Sequence, residues 1–205
     1  MIVKICGITN PDDARAAADA GATALGFNFY PASPRYVAPE RAAELLTAVP
    51  AGIWKVGVFV NAPAQQVADL AARLGLDVAQ LYGDAQAPHG LRAWRAVRVE
   101  PGFDLNRLDD PAVEAFLLDA APAGVWGGSG MSFDWSLARG AQRRVIIAGG
   151  LDETNVREAI RRARPWGVDA CSRLECAPGR KDRARLARFV REALAEAAVQ
   201  GGEGG

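Results

Sequence analysis

Strand-like and helix-like segments alternate along this chain, with one unit about every 20 to 30 residues. The strand-like segments are short, apolar and rich in β-branched residues, which is typical of buried parallel strands. The first lies in Ile2–Thr9 and stops at Cys6-Gly7, and the others are Ala22–Tyr30, Ile53–Val60, Val78–Leu81, Trp94–Val99, Ala115–Asp119, Arg144–Ala148 and Val168–Cys171. This alternation predicts parallel strands joined by crossing helices.

The helix-like segments are clearer at the two ends of the chain than in the middle. Seven or eight helices are expected, including Asp12–Ala20, Pro39–Val49, Ala64–Leu74, a seventh that Asp152 could cap and that runs to about Ala163, and a closing helix at Arg183–Val199. A short helix is expected near Asp134. Residues 101–111 have no helical period. The fifth helix is therefore predicted to be short or absent.

Eight strand–helix units in 205 residues, half of them hydrophobic, predict an α/β fold of the (β/α)8 TIM-barrel type. We expect a single domain over residues 1–199, followed by a flexible Gly-rich tail at 200–205. The alternative is a doubly wound open sheet. The barrel is favoured because eight strand-like units are more than most such sheets carry.

The charge balance excludes several classes of partner. Lys plus Arg and Asp plus Glu are 24 each, so neither a nucleic acid nor an anionic membrane is expected to bind.

No apolar stretch approaches the roughly 20 residues of a membrane span, and no secretory signal is expected. Three cysteines do not form a disulfide framework. The predicted location is the cytoplasm.

Cys6 and Asp119 stand at the ends of strands one and six. The carboxyl ends of barrel strands share one edge, which is where such barrels carry out chemistry. A thiol and a carboxylate on opposite walls of that edge can exchange protons with a ligand between them. Two structural roles stay open: Cys6 as a small buried apolar residue and Asp119 as a helix cap or solvated strand end.

The loops after strands seven and eight are candidates for a phosphate site. Gly149 and Gly150 allow close approach of backbone N–H groups, and the helix predicted to follow at once would aim its positive end at an anion. Cys171, Ser172 and Arg173 add a hydroxyl donor and a guanidinium. A simple tight turn at the glycine pair is the alternative.

Four further polar or glycine positions complete the candidate site. Lys4 and Asp169 are polar residues in apolar strands, and a buried ion pair between them would place a cation on the same face as Cys6. Arg35, in a loop stiffened by prolines, is a candidate clamp for a carboxylate. Asp169 and Gly128 are also assigned to the substrate site.

The sequence argues against a dinucleotide-binding site and against a zinc site. The Gly-rich segment 127–130 does not lie directly between a strand and a helix, so we expect a lid over the ligand and not a dinucleotide cradle. Cys171, Cys176 and the lone His89 lack the spacing of a zinc site. No metal is expected.

Several short motifs occur in a specific order over nearly the whole chain. They are Lys4–Thr9, Gly26–Phe29 with Ser33–Arg35, Val56–Val60, Gln80-Leu81, Leu117–Asp119, Gly127–Gly130 with Phe133–Trp135, Ile147–Leu151 and Ala177–Asp182. Together they resemble the phosphoribosylanthranilate isomerase family, barrel enzymes of tryptophan biosynthesis.

The resemblance implies an Amadori rearrangement of a small phosphorylated substrate without any cofactor. It implies that Asp119 is the general acid on the furanose ring oxygen and that Cys6 is the general base at C2′. It also implies that Arg35 holds the anthranilate carboxylate, while the loops after strands seven and eight hold the phosphate. A monomer and a homodimer are both compatible with the sequence.

Two residues depart from the family pattern. Tyr82 stands where the family usually has His, and Arg173 stands where it usually has Gly. A left-handed backbone at Arg173 would cost about 1–2 kcal/mol. The alternatives are that Arg173 adds a charge to the phosphate site or folds outward.

Three other functions are alternatives to the isomerase. One is a barrel that binds phosphorylated ligands with impaired turnover, which the two departures favour. Another is the sister isomerase of histidine biosynthesis, which would prefer an acidic residue at Cys6 and a second phosphate site. The last is a redox-sensing thiol protein, but no second cysteine adjoins Cys6 in sequence.

Overall fold

A closed barrel of eight parallel strands forms the centre of the computed structural model, which describes residues 1–100, 102–120 and 132–202. Each strand pairs with its neighbours in sequence, and the first pairs with the eighth to close the barrel. The strands are β1 Ile2–Cys6, β2 Ala24–Asn28, β3 Trp54–Val60, β4 Val78–Tyr82, β5 Arg92–Arg98, β6 Ala115–Asp119, β7 Arg144–Ile147 and β8 Gly167–Ala170. The predicted (β/α)8 barrel is confirmed, and the open sheet is wrong.

The described residues contain eight helical segments, against the seven or eight helices expected, and not all of them are α-helical. Five are α-helices: α1 Pro11–Asp19, α2 Pro39–Leu46, α3 Ala64–Leu74, α4 Val156–Ala163 and α5 Arg183–Gly202. Three are short 3₁₀ helices, at Leu105–Arg107, Trp135–Ala138 and Ser172–Leu174. The first of these stands between β5 and β6, which confirms the short fifth helix. α5 continues past its predicted end at Val199.

The loop after β7 corrects one predicted boundary. α4 begins at Val156 and not at Asp152, so no helix follows Gly149-Gly150 directly. The reason is local hydrogen bonding: the Asp152 carboxylate accepts bonds from the backbone N–H and the hydroxyl of Thr154. Asn155 in turn donates from its side chain to the carbonyl of Gly150. These bonds hold the segment as a turn.

Aromatic side chains close the amino-terminal end of the barrel. Trp94 is fully buried, and its ring centroid lies 5.9 Å from that of Trp54 and 5.9 Å from that of Trp166. These three residues come from β3, β5 and the residue before β8, so their rings meet near the starts of those strands. Because this end is filled, a ligand has room only at the carboxyl end.

A second apolar layer lies between the barrel and the helices. It includes Ile5, Leu25 and Phe27 from the strands and Phe189 from α5, all fully buried. After α4 and β8 the chain forms a short antiparallel hairpin, β9 Glu175–Ala177 and β10 Arg180–Lys181, beside the barrel mouth. A membrane-crossing helix is not found in the described ranges.

Candidate active site

A cavity open to solvent lies at the carboxyl ends of the strands, with about 600 Å³ of empty space. Nine of the candidate residues line this cavity, and Lys4 is fully buried and not part of its lining. The nine are Cys6, Arg35, Asp119, Gly149, Gly150, Asp169, Cys171, Ser172 and Arg173. Gly128 and its predicted lid lie outside the described residues. The parallel direction of the strands brings these distant positions to one rim.

Cys6 is the last residue of β1 and is buried. Its position depends on a glycine opposite, because a Cβ at Gly26 would lie only 2.8 Å from the Cys6 Sγ. The hydrogen bond with the Cys171 thiol lowers the pKa of Cys6 well below its usual value, and the Lys4 and Lys181 ammonium groups act in the same direction against burial. These surroundings favour the thiolate form of Cys6.

Lys4 and Asp169 form the ion pair that the sequence predicted. The Lys4 Nζ lies 2.8 Å from an Asp169 carboxylate oxygen, and both side chains are buried. Burial opposes the charge on Lys4, but the nearby Asp169 and Cys6 raise its pKa above the usual value. Burial also raises the pKa of Asp169 to about 7, against the effect of Lys4. A cation thus stands beneath the Cys6 thiol.

Asp119 ends β6 and is buried in the wall of the cavity. Strands β1 and β6 are not neighbours in the barrel, so Cys6 and Asp119 approach the space from separate walls. Tyr82, from the end of β4, lines the same space, and its hydroxyl accepts a hydrogen bond of 3.2 Å from the Gln80 side chain. Burial, with the charges of Asp119 and Cys6, raises the pKa of Tyr82 well above its usual value. The phenol is therefore neutral.

Arg35 has a partner that the sequence did not predict. Its guanidinium binds the Glu175 carboxylate in two places, with Nε to Oε1 at 2.9 Å and Nη2 to Oε2 at 2.7 Å. The Arg35 and Glu175 side chains are 13% and 4% exposed, so the pair is nearly dry. Glu175 fixes the plane of the guanidinium fork at the cavity rim. A contact between Arg35 and a substrate carboxylate remains a prediction.

Lys181 is a second residue that sequence reasoning missed as a site residue. Its ammonium group is fully buried, 2.9 Å from a Glu175 oxygen and 3.8 Å from the Cys171 Sγ. The backbone N–H of Lys181 donates to Asp13, which ties the hairpin to α1. Lys181 belongs to the Ala177–Asp182 motif, yet nothing in that motif indicated contact with a cysteine of the preceding loop.

The loops expected to bind phosphate are next to each other. Gly149 and Gly150 have φ of 75° and 66°, which favours glycine at both positions. Arg173 lies in a 3₁₀ helix and donates from Nη1 to an Asp152 oxygen 2.9 Å away, which links the loop after β8 to the loop after β7. Arg173 is not one of the described non-glycine residues with a positive φ. The left-handed backbone strain considered for Arg173 is therefore absent.

A metal site is not part of this arrangement. In the described segments, no cluster of three or more His, Cys, Asp or Glu residues is placed to hold a metal ion. The cavity offers thiol, carboxyl, phenol and guanidinium groups, which are suited to moving protons and holding anions.

Lys4→Met should raise the pKa of Cys6 because it removes the cation beneath the thiol. The measurement is the pH dependence of Cys6 alkylation by iodoacetamide, read by mass spectrometry of the peptide that carries Cys6. The matched control is Lys55→Met, a half-buried lysine of β3. The alkylation midpoint should move to higher pH in Lys4→Met alone, with circular dichroism confirming that both variants fold. An unchanged midpoint would show that Lys4 does not tune the thiol.

A family model and a sequence relative both match nearly the whole chain. The family model described as N-(5'phosphoribosyl)anthranilate (PRA) isomerase matches residues 3–192. An N-(5'-phosphoribosyl)anthranilate isomerase from Solibacter usitatus is 50% identical over 198 residues, which cover 95% of this chain and 98% of the relative.

Solved structures agree with the sequence matches. A monomeric form of the dimeric enzyme from Thermotoga maritima superposes with a TM-score of 0.82 at 36% identity, covering 95% of this chain and all of that one. A phosphoribosyl anthranilate isomerase in complex with reduced 1-(o-carboxyphenylamino)-1-deoxyribulose 5-phosphate gives a TM-score of 0.80 at 34% identity, with coverage of 95% and 100%. The family-model match and the 50% identity, with an acid–base cavity at the barrel mouth, show that this chain belongs to the N-(5'-phosphoribosyl)anthranilate isomerase family.

Proposed function

We propose that this chain rearranges N-(5′-phosphoribosyl)anthranilate to 1-(2-carboxyphenylamino)-1-deoxyribulose 5-phosphate, with Cys6 as general base and Asp119 as general acid. Family membership supports the reaction. The observation that carries the residue roles is that Cys6 and Asp119 line one cavity from two non-adjacent strands. The family and its relatives support the anthranilate substrate and not the sister isomerase of histidine biosynthesis.

The reaction begins with proton donation. Asp119 gives a proton to the furanose ring oxygen, the C1′–O bond breaks, and the anthranilate nitrogen lone pair forms an iminium with C1′. The Cys6 thiolate then removes the proton from C2′, and the electron pair moves to give an enolamine. Tautomerisation of the enolamine yields the ketone. The lowered pKa of Cys6 favours the thiolate form that this base requires.

The anionic ends of the substrate have candidate partners on opposite parts of the rim. We assign the phosphate to the loops after β7 and β8, where Gly149, Gly150 and Ser172 can donate hydrogen bonds and Arg173 brings positive charge. The anthranilate carboxylate is assigned to Arg35. Because Glu175 occupies one edge of the guanidinium, the substrate would bind through the remaining edge.

Asp169 and Cys171 act next to the reacting atoms in this proposal. Asp169 holds Lys4, and the neighbouring Cys171 thiol lowers the pKa of the Cys6 base. All the residues named here come from one chain, so the proposed reaction does not require a second copy. A thiolate base needs a reducing compartment, and for that reason we place the protein in the cytoplasm.

The proposal is tested by adding the purified protein to freshly made phosphoribosylanthranilate and following the loss of anthranilate fluorescence. A rate well above the buffer blank is expected, with the ketose product identified by mass spectrometry. Spontaneous hydrolysis would release anthranilate and no ketose, so the two processes are separable. A protein that binds the substrate and leaves its decay rate at the blank value would support the non-catalytic barrel and overturn the proposal.

A further inference from the structure

The second cysteine near Cys6 comes from the neighbouring strand and not from the neighbouring sequence. Lys4 is the register partner of Asp169, and Ile5 is that of Ala170. The next residue on each side is Cys6, which ends β1, and Cys171, which lies one residue beyond the end of β8. Lys4 and Asp169 meet inside the barrel, so the residues two positions later on each strand, Cys6 and Cys171, face the same interior.

Several contacts show that the two sulfur atoms are close. The interaction between the two side chains lowers the pKa of Cys6 and raises that of Cys171. The Cys171 Sγ also lies against the backbone that follows Cys6, because a Cβ at Gly7 would be 2.9 Å from it. Neighbouring strands stand about 4.7–4.9 Å apart. A disulfide needs Cα atoms about 4.4–6.8 Å apart, so the strand spacing suits a bond between these two residues.

The surroundings of the pair favour attack by a thiolate. Both cysteines line the solvent-open cavity, which gives a small oxidant a path to them. Lys4 lies beneath Cys6, and the Lys181 ammonium lies 3.8 Å from the Cys171 Sγ. Positive charge beside a thiol stabilises the anion that reacts with an oxidant. The third cysteine, Cys176, is exposed and does not line this cavity.

We propose that Cys6 and Cys171 form a redox-active dithiol, at which a peroxide closes a reversible disulfide and occupies the base. The Cys6 thiolate attacks one peroxide oxygen, an S–O bond forms, and the O–O bond breaks with release of hydroxide. The Cys171 sulfur then attacks the Cys6 sulfur, the S–O bond breaks, and the departing hydroxide takes the Cys171 proton as water. The hydroxide released in the first step takes a proton from solvent, which replaces the proton that Cys6 lost on ionising. Two cysteines thus lose two electrons in total, and one peroxide becomes two waters. An external dithiol reverses the reaction by exchange.

Loss of turnover on oxidation rests on the proposed role of Cys6, whereas disulfide formation does not. Oxidation should therefore be read in two ways. The covalent readout is a tryptic digest under non-reducing conditions, because trypsin places the three cysteines on separate peptides, at residues 5–15, 163–173 and 174–180. The functional readout is the isomerase rate before and after oxidation.

Hydrogen peroxide should link peptide 5–15 to peptide 163–173 in the wild-type chain, with a mass loss of two hydrogen atoms. Turnover should fall about tenfold or more and return after treatment with dithiothreitol. Cys176→Ser, the matched control, should behave in the same way. Cys171→Ser and Cys171→Ala should form no link, and peroxide should drive Cys6 to the sulfinic acid, so that dithiothreitol no longer restores each variant's own starting rate.

The outcomes separate the two proposals. Absence of the 5–15 to 163–173 link in the oxidised wild type, or recovery of both Cys171 variants equal to that of the wild type, would overturn the dithiol. A linked pair in a protein with no isomerase rate would support the dithiol and refute the proposed function.

Discussion

Cys6→Ser lowers the turnover of phosphoribosylanthranilate by roughly a hundredfold or more, the range expected for loss of a general base. Serine keeps nearly the size of cysteine, which matters because the Cys6 sulfur is in close contact with Gly26. A serine hydroxyl is not ionised near neutral pH, so the C2′ proton has no strong acceptor. The exposed Cys176 offers the matched control, Cys176→Ser, which should keep the wild-type rate.

The measurement is kcat and KM from the fluorescence assay, with circular dichroism to confirm the fold. The loss should be in kcat, because the thiolate acts in the transition state and not in substrate binding. A Cys6→Ser rate within tenfold of wild type would remove Cys6 from the base role. Cys6→Ala should give a loss of similar size.

The pH profile gives a further check on the base. The pKa of Cys6 is lowered well below its usual value by the Cys171 thiol and the two lysines. Activity should therefore extend to lower pH than an ordinary thiol would allow, and fall as the pH drops through this lowered pKa, because the base then becomes protonated. Lys4→Met, which raises the pKa of the thiol, should move the acid side of the profile to higher pH.

Asp119→Asn also lowers turnover by roughly a hundredfold or more, because an amide cannot give a proton to the ring oxygen. The change preserves the shape of the side chain and the backbone bond in which the Val99 N–H donates to the Asp119 carbonyl. The matched control is Asp69→Asn, an exposed aspartate on α3. It should leave the rate unchanged.

Ring opening is the step that this variant should slow. The measurement is kcat from the fluorescence assay. A variant that keeps the wild-type rate would assign the acid to another group. Tyr82, a neutral phenol in the same cavity, would then be examined by Tyr82→Phe.

The fold could be read from local sequence because its signal is local. β-Branched runs alternate with Ala-rich amphipathic segments, and the residues within each β-branched run are enough to predict a strand there. The parallel direction of the strands then places Cys6 and Asp119 on one rim, wherever the strands lie in the barrel. The ion pair of Lys4 with Asp169 followed as well, since the first and last strands of a closed barrel are neighbours.

The loops were harder to predict because their conformation depends on side-chain hydrogen bonds across short distances. Asp152 was expected to cap a helix, and in the structure it bonds Thr154 while α4 starts at Val156. Arg173 was expected to strain the backbone or approach a phosphate, and it pairs with Asp152 from the next loop.

The sequence by itself determined the barrel, the direction of its strands and the rim on which Cys6, Asp119 and the candidate anion-binding residues stand. Only the tertiary structure decided which side chains touch: Cys171 with Cys6, Glu175 with Arg35, and Lys181 with both Glu175 and Cys171. The reason is physical. Periodicity records how each segment buries its own face, but contacts across the barrel mouth depend on strand register and on the path of loops far apart in the chain.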